Sequence, residues 1–219
     1  MSNQLIQELP GLLAWYPHTF GSGSTIYDYS GNSNDLTITG SEWRKIPNGS
    51  YTMDNVASNN ILTPTTSILN GLSSFTLIWW VYLDSQAATL YFLFRTTGQG
   101  QFYRTSTDTV IMDLNGLSGG RFSVITSTSI PENEWVMLTF TYNSSLATAD
   151  RGKVYFNTTR QANINPQTGN GTMPSSVESY NGAVGFSVSP LGSLKFLLAS
   201  DQELSPELIA QIYRKTYIS

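Results

Sequence analysis

The sequence predicts an all-β fold: an antiparallel two-sheet β-sandwich closed by one short C-terminal helix. Three observations carry this. Apolar residues recur with period two along most of the chain. Clusters of Gly, Asn, Ser and Pro break the alternating runs at short intervals, as turns between strands require. Three short signatures also stand in a fixed order: Asp28-Tyr29-Ser30-Gly31-Asn32, then Glu134 to Leu138 leading to Val154-Tyr155-Phe156-Asn157, then Glu203 to Ile209.

The elements follow in order. From Phe75 to Leu83 both alternating sets are apolar, which marks a central strand covered on both sides, or covered on one side and aromatic on the other. Trp79 and Trp80 must then point to opposite faces, so at most one of them enters the inter-sheet core. Leu90 to Phe94 reads as a neighbouring strand. Further strands are expected at Gln101 to Arg104, Val110 to Leu114, Arg121 to Thr126, Trp135 to Tyr142, Lys153 to Asn157, Ala183 to Val188 and Leu194 to Ala199. Asn115-Gly116 suits a hairpin turn after Val110 to Leu114. Asn163 to Gly171 reads as a long loop.

The chain end departs from this rhythm. Ser205 is a good N-cap, Pro206 suits the first helical position and Glu207 complements the helix dipole. Leu208, Ile209, Ile212 and Tyr213 form an apolar stripe at helical spacing, and Arg214 and Lys215 suit a last turn. With no internal repeat and no linker, residues 1–219 read as a single domain.

Composition narrows the function. Only 12% of the 219 residues are charged, while 40% are hydrophobic and 12% aromatic, so a sizeable core is available and disorder is excluded. The net charge is −4 and the 11 Lys and Arg are scattered, which argues against nucleic acid as a partner. There is no cysteine, hence no disulfide framework and no thiolate metal site. Met1 to Pro10 lacks the basic and apolar regions of a signal peptide. The longest apolar run, Leu77 to Leu83, is too short to enter and span a membrane. The Asn-x-Ser/Thr sequons at Asn48, Asn143, Asn157 and Asn170 are no more than so Ser/Thr/Asn-rich a chain supplies by chance.

The three signatures resemble the concanavalin A-like lectin/glucanase superfamily, and within it the laminin G-like jellyroll domains. The family's opening apolar strand and Asp-x-Ser-Gly-Asn are matched by Leu12-Leu13-Ala14-Trp15-Tyr16 and by Asp28 to Asn32. Its Asp-bearing strand and Thr-x-x-x-Trp strand are matched by Met53-Asp54 and Thr76 to Trp80. The strand begun by Trp135 ends Thr141-Tyr142, and Tyr155-Phe156-Asn157 and Leu204-Ser205-Pro206-Glu207-Leu208-Ile209 complete the series. The resemblance implies a jellyroll used mostly for recognition. Two departures stand out. Thr158 replaces the usual Gly, so that hairpin must turn differently. Leu194 to Leu198 holds no carboxylate where the family often carries an Asp, sometimes as a calcium ligand.

Three chemistries are open to the candidate residues. Glycosidases need two carboxylates flanking the sugar bond. The nearest candidates, Glu132 and Glu134, lie in a turn that enters a strand and read as solvated. His18, the single histidine, reads as an ordinary loop residue. For calcium, Asp28, Asn32 and Asp35, with Asn34 beside them, form the richest oxygen cluster, and Asp54 could join from a neighbouring strand. The competing reading is a turn in which Asp and Asn bond their own backbone and Gly31 supplies a positive φ. For sugar, whose CH faces stack on aromatic rings, the candidates are Trp43, Trp80, Tyr82, Tyr103 and Tyr180. Trp80 has a competing reading, burial under a loop or the terminal helix.

The expectation is a non-catalytic recognition module that binds carbohydrate or a glycoprotein surface, acting outside the cell or on a virion. Calcium is a conceivable cofactor and a homo-oligomer a conceivable state. The alternatives are a virion structural protein, such as a coat, decoration or fibre component, and a glycoside hydrolase.

Overall fold

The computed structural model describes residues 4–40, 42–46, 51–54, 61–83, 90–95, 100–107, 109–164, 167–182 and 192–217. In chain order the elements are α1 (Gln4–Gln7), β1 (Leu12–Trp15), β2 (Thr25–Ile26), β3 (Leu36–Thr39), β4 (Glu42–Lys45), β5 (Tyr51–Asp54), β6 (Ile61–Pro64), β7 (Ser74–Leu83), β8 (Leu90–Arg95) and β9 (Gln101–Arg104). There follow β10 (Thr109–Leu114), β11 (Phe122–Ser129), β12 (Trp135–Asn143), α2 (Thr148–Arg151), β13 (Gly152–Phe156), β14 (Thr159–Arg160), β15 (Gln167–Thr168), β16 (Glu178–Gly182), β17 (Gly192–Ser200) and α3 (Pro206–Thr216). The strands make two antiparallel sheets, as the alternation predicts. The first runs β14-β13-β12-β7-β17-β5-β4, with β1 also paired to β17; the second runs β15-β11-β10-β9-β8-β16-β6-β3-β2. This is the β-sandwich of a jellyroll.

Period-two patterning builds two cores from one sheet. The inner face of β7 sends Phe75, Leu77, Trp79, Val81 and Leu83 between the sheets. There Trp79 stacks on Phe196 at 4.7 Å and meets Phe140 edge-on at 5.7 Å. Such aromatic pairs add roughly 0.5–1.5 kcal/mol each beyond area burial. The outer face sends Ile78 and Trp80 into a second cluster, with Trp15, Met137, Leu197, Leu198, Ile209 and Ile212, beneath α1 and α3. A register shift between Phe196 and Leu198 places the consecutive residues Leu197 and Leu198 in this outer cluster before Ala199 returns inward, the usual effect of a β-bulge.

The terminal helix forms as its sequence dictates. Ser205 accepts a hydrogen bond from the Leu208 N–H, Pro206 opens the helix, and Ile209 and Ile212 are its buried residues. Trp80 is its main anchor on the sheet. Tyr213 stacks on the indole at 5.6 Å, and the Trp80 Nε1–H donates to Thr216 Oγ1 at 2.9 Å.

Two expectations need correction. Asn115-Gly116 does not close a two-residue hairpin: β10 and β11 do pair, but through a connection running from 115 to 121. That loop is held from outside, because the Gly119 N–H donates to the Asn170 carbonyl. The 163–171 segment is a loop only in part, since β15 pairs with β11 and the buried Arg151 guanidinium donates to the Thr168 and Gly169 carbonyls. The strand expected at Ala183 to Val188 lies outside the described residues. As the Thr158 departure implies, the β13–β14 turn differs: Asn157 takes the left-handed conformation at φ 55°, and its Oδ1 accepts from the Met137 N–H. No helix among the described residues is long and apolar enough to cross a membrane.

Candidate functional site

The outer face of the first sheet is only partly roofed by α3, and the unroofed part forms a groove. Strand register sets its floor. Trp135 pairs with Tyr82, and Tyr82 with Ser193, so these three form one row across β12, β7 and β17. The row continues through the Asp54 position to Glu42 on the edge strand β4. The next row holds Met137, Trp80 and Lys195. Because α3 closes over Trp80, the rings one row away remain partly open. The groove is lined by Tyr82, Trp135, Ser193, Arg44, Lys45 and Ile46 and encloses about 580 Å³. That lies in the range of small-molecule sites, roughly 300–1,000 Å³.

The Tyr82 and Trp135 rings meet at 5.6 Å with planes 58° apart, making an angled aromatic wall. Opposite them, Arg44 and Lys45 are exposed, and Arg44 Nη1 lies 3.4 Å from the buried Ser193 Oγ. The described residues that line the groove include no carboxylate, and Glu42 stands beyond them at the edge-strand end of the floor row. Lys195, in the adjoining row, is buried, and loss of water pushes its pKa down to about 8. It still carries most of its charge at neutral pH.

Of the five aromatic residues expected to touch sugar, the structure brings only Tyr82 to this groove. Trp80 and Tyr180 have no exposed surface. Trp80 is sealed by α3. Tyr180 faces between the sheets, stacked on Phe196 at 4.4 Å, with its hydroxyl donating to Glu178 at 2.8 Å. A ring without exposed surface offers no face to a ligand, so both are corrected to core residues. Trp43, next to Arg44 on β4, is half-buried and packs against the inter-sheet core instead; its Nε1–H donates to the Gly23 carbonyl and its ring meets His18 and Tyr51. Tyr103 is partly exposed on the second sheet, paired in register with Ile111. Sequence reasoning missed Trp135, Arg44 and Lys45. The Trp135–Tyr82 pairing was implicit in the two strands, but their register was not.

The Asp28 cluster forms as expected, and its bonds define its role. Asp28 Oδ1 accepts from the Trp15 and Ser30 N–H groups at 2.9 and 2.8 Å. Oδ2 accepts from Ser30 Oγ at 2.8 Å and the Asn34 N–H at 3.0 Å. Asp35 Oδ1 accepts from the Asp28 N–H, while Asn32 and Asn34 donate to the Leu13 carbonyl. Calcium requires about six to eight oxygens turned toward it. Here both Asp28 oxygens accept from N–H and O–H donors, a bonding pattern that suits a turn stapled to β1. The negative cluster also reaches Tyr16, whose pKa is raised first by burial and then by Asp28, Asp35 and Glu178.

The catalytic candidates stand in different surroundings. Glu132 is ion-paired at 2.8 Å to Arg104, which is only 1% exposed. Glu134 is exposed. His18 is buried rather than an ordinary loop residue. Its Nε2 lies 3.0 Å from the Phe196 carbonyl, Nδ1 has no hydrogen-bond partner, and burial followed by nearby Lys195 pushes its pKa well down.

No curated protein matches the chain. A sequence model of the laminin G-like type, described as concanavalin A-like lectin/glucanases superfamily, matches residues 54–210. The chain belongs to that superfamily. The match excludes the Asp28 loop but spans β7, β12 and the start of α3. Among solved structures, this superfamily member is similar to the binding domain of Paraclostridial Mosquitocidal Protein 1, at 16% identity and TM-score 0.70, over 94% of this chain and 52% of that one. It is similar to a botulinum neurotoxin type C structure, from work on cell entry dependent upon two ganglioside molecules, at 15% identity and TM-score 0.67, over 98% and 53%. A third is Trypanosoma rangeli sialidase in complex with sialic acid, at 14% identity and TM-score 0.64, over 93% and 32%. The chain thus spans about half the length of the toxin structures and less of the sialidase. At these identities the likeness is one of fold.

Proposed function

We propose that this domain is a non-catalytic carbohydrate-recognition module and that the groove at Tyr82 and Trp135 is its sugar site. The observation that carries the reading is the angled, partly open aromatic pair facing Arg44, Lys45 and Ser193 across about 580 Å³. Pyranose CH faces stack on such rings, while guanidinium, ammonium and hydroxyl groups serve the ring oxygens. Similarity to toxin binding domains, one concerned with gangliosides, and to a sialidase bound to sialic acid lends support. So does the groove lining, which among the described residues holds no carboxylate pair, and Glu132 is ion-paired to Arg104.

A glycan array tests this with wild type and the Tyr82→Ala, Trp135→Ala double variant, whose fold is checked by circular dichroism. Specific wild-type hits that vanish in the variant are expected. A blank array with folded wild type, or hits unchanged in the variant, overturns the assignment.

A further inference from the structure

We propose that the groove selects sugars that carry a carboxylate, with the acid group against the Arg44–Lys45 wall and a neighbouring sugar face on Tyr82 and Trp135; this rests on the carbohydrate-recognition reading above. The first argument is charge. The chain holds 15 Asp and Glu against 11 Lys and Arg, a net −4, yet the described groove lining has two cations and no carboxylate. A concave, partly apolar wall focuses such a field onto a bound group. Lys195 adds positive charge from the adjoining row on the same face.

The second argument is shape. Guanidinium is a planar fork that matches the two oxygens of a carboxylate, and a charge-assisted pair of this kind discriminates strongly against a neutral hydroxyl. Ser193 Oγ, 3.4 Å from Arg44 Nη1, places a hydroxyl beside that fork. The third is reach. Arg44 Nη1 lies 3.4 Å from Ser193 Oγ, and Ser193 is the direct register partner of Tyr82 on the neighbouring strand. One strand spacing of roughly 4.8 Å separates those two strands, so a sugar stacked on the aromatic wall can present its acid group to the guanidinium.

The test is an array of matched oligosaccharide pairs, each carboxylate-bearing glycan beside its carboxyl-reduced form, with sulfate-ester glycans as a third arm. Hits are followed by calorimetry for wild type, Arg44→Gln and Lys45→Gln. Both residues are exposed on an edge strand, so the variants are expected to melt like wild type. The acid form should bind about tenfold or more tighter than its reduced partner, as loss of a charged hydrogen bond implies. That preference should shrink in both variants and at high salt. Equal affinity within the pairs overturns the inference and leaves the carbohydrate reading standing. Sulfate esters binding as tightly as carboxylates overturn the carboxylate assignment. No binding in any arm by folded protein overturns both.

Discussion

Tyr82 and Trp135 meet ring to ring at 5.6 Å because β7 and β12 pair them directly, on a row that stays partly exposed beside α3. Directly opposed cross-strand residues have Cβ atoms about 4.5–5.5 Å apart, close enough for each ring to hold the other's rotamer. A pre-set wall of this kind loses little side-chain entropy on binding.

Replacing either ring by Ala should therefore weaken glycan binding by about 1–3 kcal/mol, or roughly tenfold to a hundredfold. Tyr82→Phe should retain most of the affinity, since the stacking face survives. Calorimetry with an array-selected glycan checks this. An Ala variant that binds like wild type would place the site elsewhere.

Asp28 is the second test. Asp28→Asn keeps an acceptor for two donors but turns an amide toward the Asn34 N–H and Ser30 Oγ. The cost should be about 1–3 kcal/mol, or a fall of several degrees in Tm for a chain of this size. Added calcium should leave the wild-type Tm unchanged, because the carboxylate already faces protein donors. A calcium-dependent rise in Tm, by linkage, would show a bound ion and refute the turn assignment.

Tyr180 offers a test that separates core from site. Glu178 is fully buried, and its carboxylate accepts from the Ile68 and Leu69 N–H groups and from the Tyr180 hydroxyl. Tyr180→Phe keeps the ring stacked on Phe196 and removes one donor to a charged acceptor, costing about 1.5–3 kcal/mol. Chemical denaturation should show that loss while glycan affinity stays unchanged. A fall in affinity without a fall in stability would return Tyr180 to the ligand site.

How much of this was legible follows from the range of each signal. Alternation along β7 separated Trp79 from Trp80 correctly, because face is a local property of a strand. The α3 boundaries were legible for the same reason, since cap, proline and stripe are neighbours in sequence. Tyr180 was misjudged because its exposure depends on what covers it, and that cover comes from Phe196 on β17, far away in sequence. The positive φ at Asn157 could be inferred from the missing Gly at 158. The groove could not, since it depends on β4 joining the sheet beyond β5, a pairing with no sequence signature.

The last prediction concerns two buried bases, Lys195 and His18. Burial disfavours the Lys195 charge and pushes its pKa down from the ordinary 10.5 to about 8. Between those values the unfolded chain binds the proton and the folded chain does not, so stability rises as pH climbs from 8 toward 10. At about 1.4 kcal/mol per pH unit the full effect is roughly 3 kcal/mol. Above pH 10 the buried tyrosines oppose it: Tyr142 is pushed up to about 12, mainly by burial, and stability is lost as its unfolded counterpart ionises. His18 acts on the acid side. Its pKa is depressed first by burial and then by Lys195, partly offset by the Phe196 carbonyl, so stability falls as pH drops below the ordinary histidine value of about 6.5. Protonation would also place a second N–H at Nδ1, which has no hydrogen-bond partner. Thermal melts from pH 5 to 10 should rise across both windows. Lys195→Met should flatten the alkaline rise, and His18→Gln the acid fall. A wild-type profile flat between pH 8 and 10 would mean that the Lys195 ammonium reaches water in the folded protein.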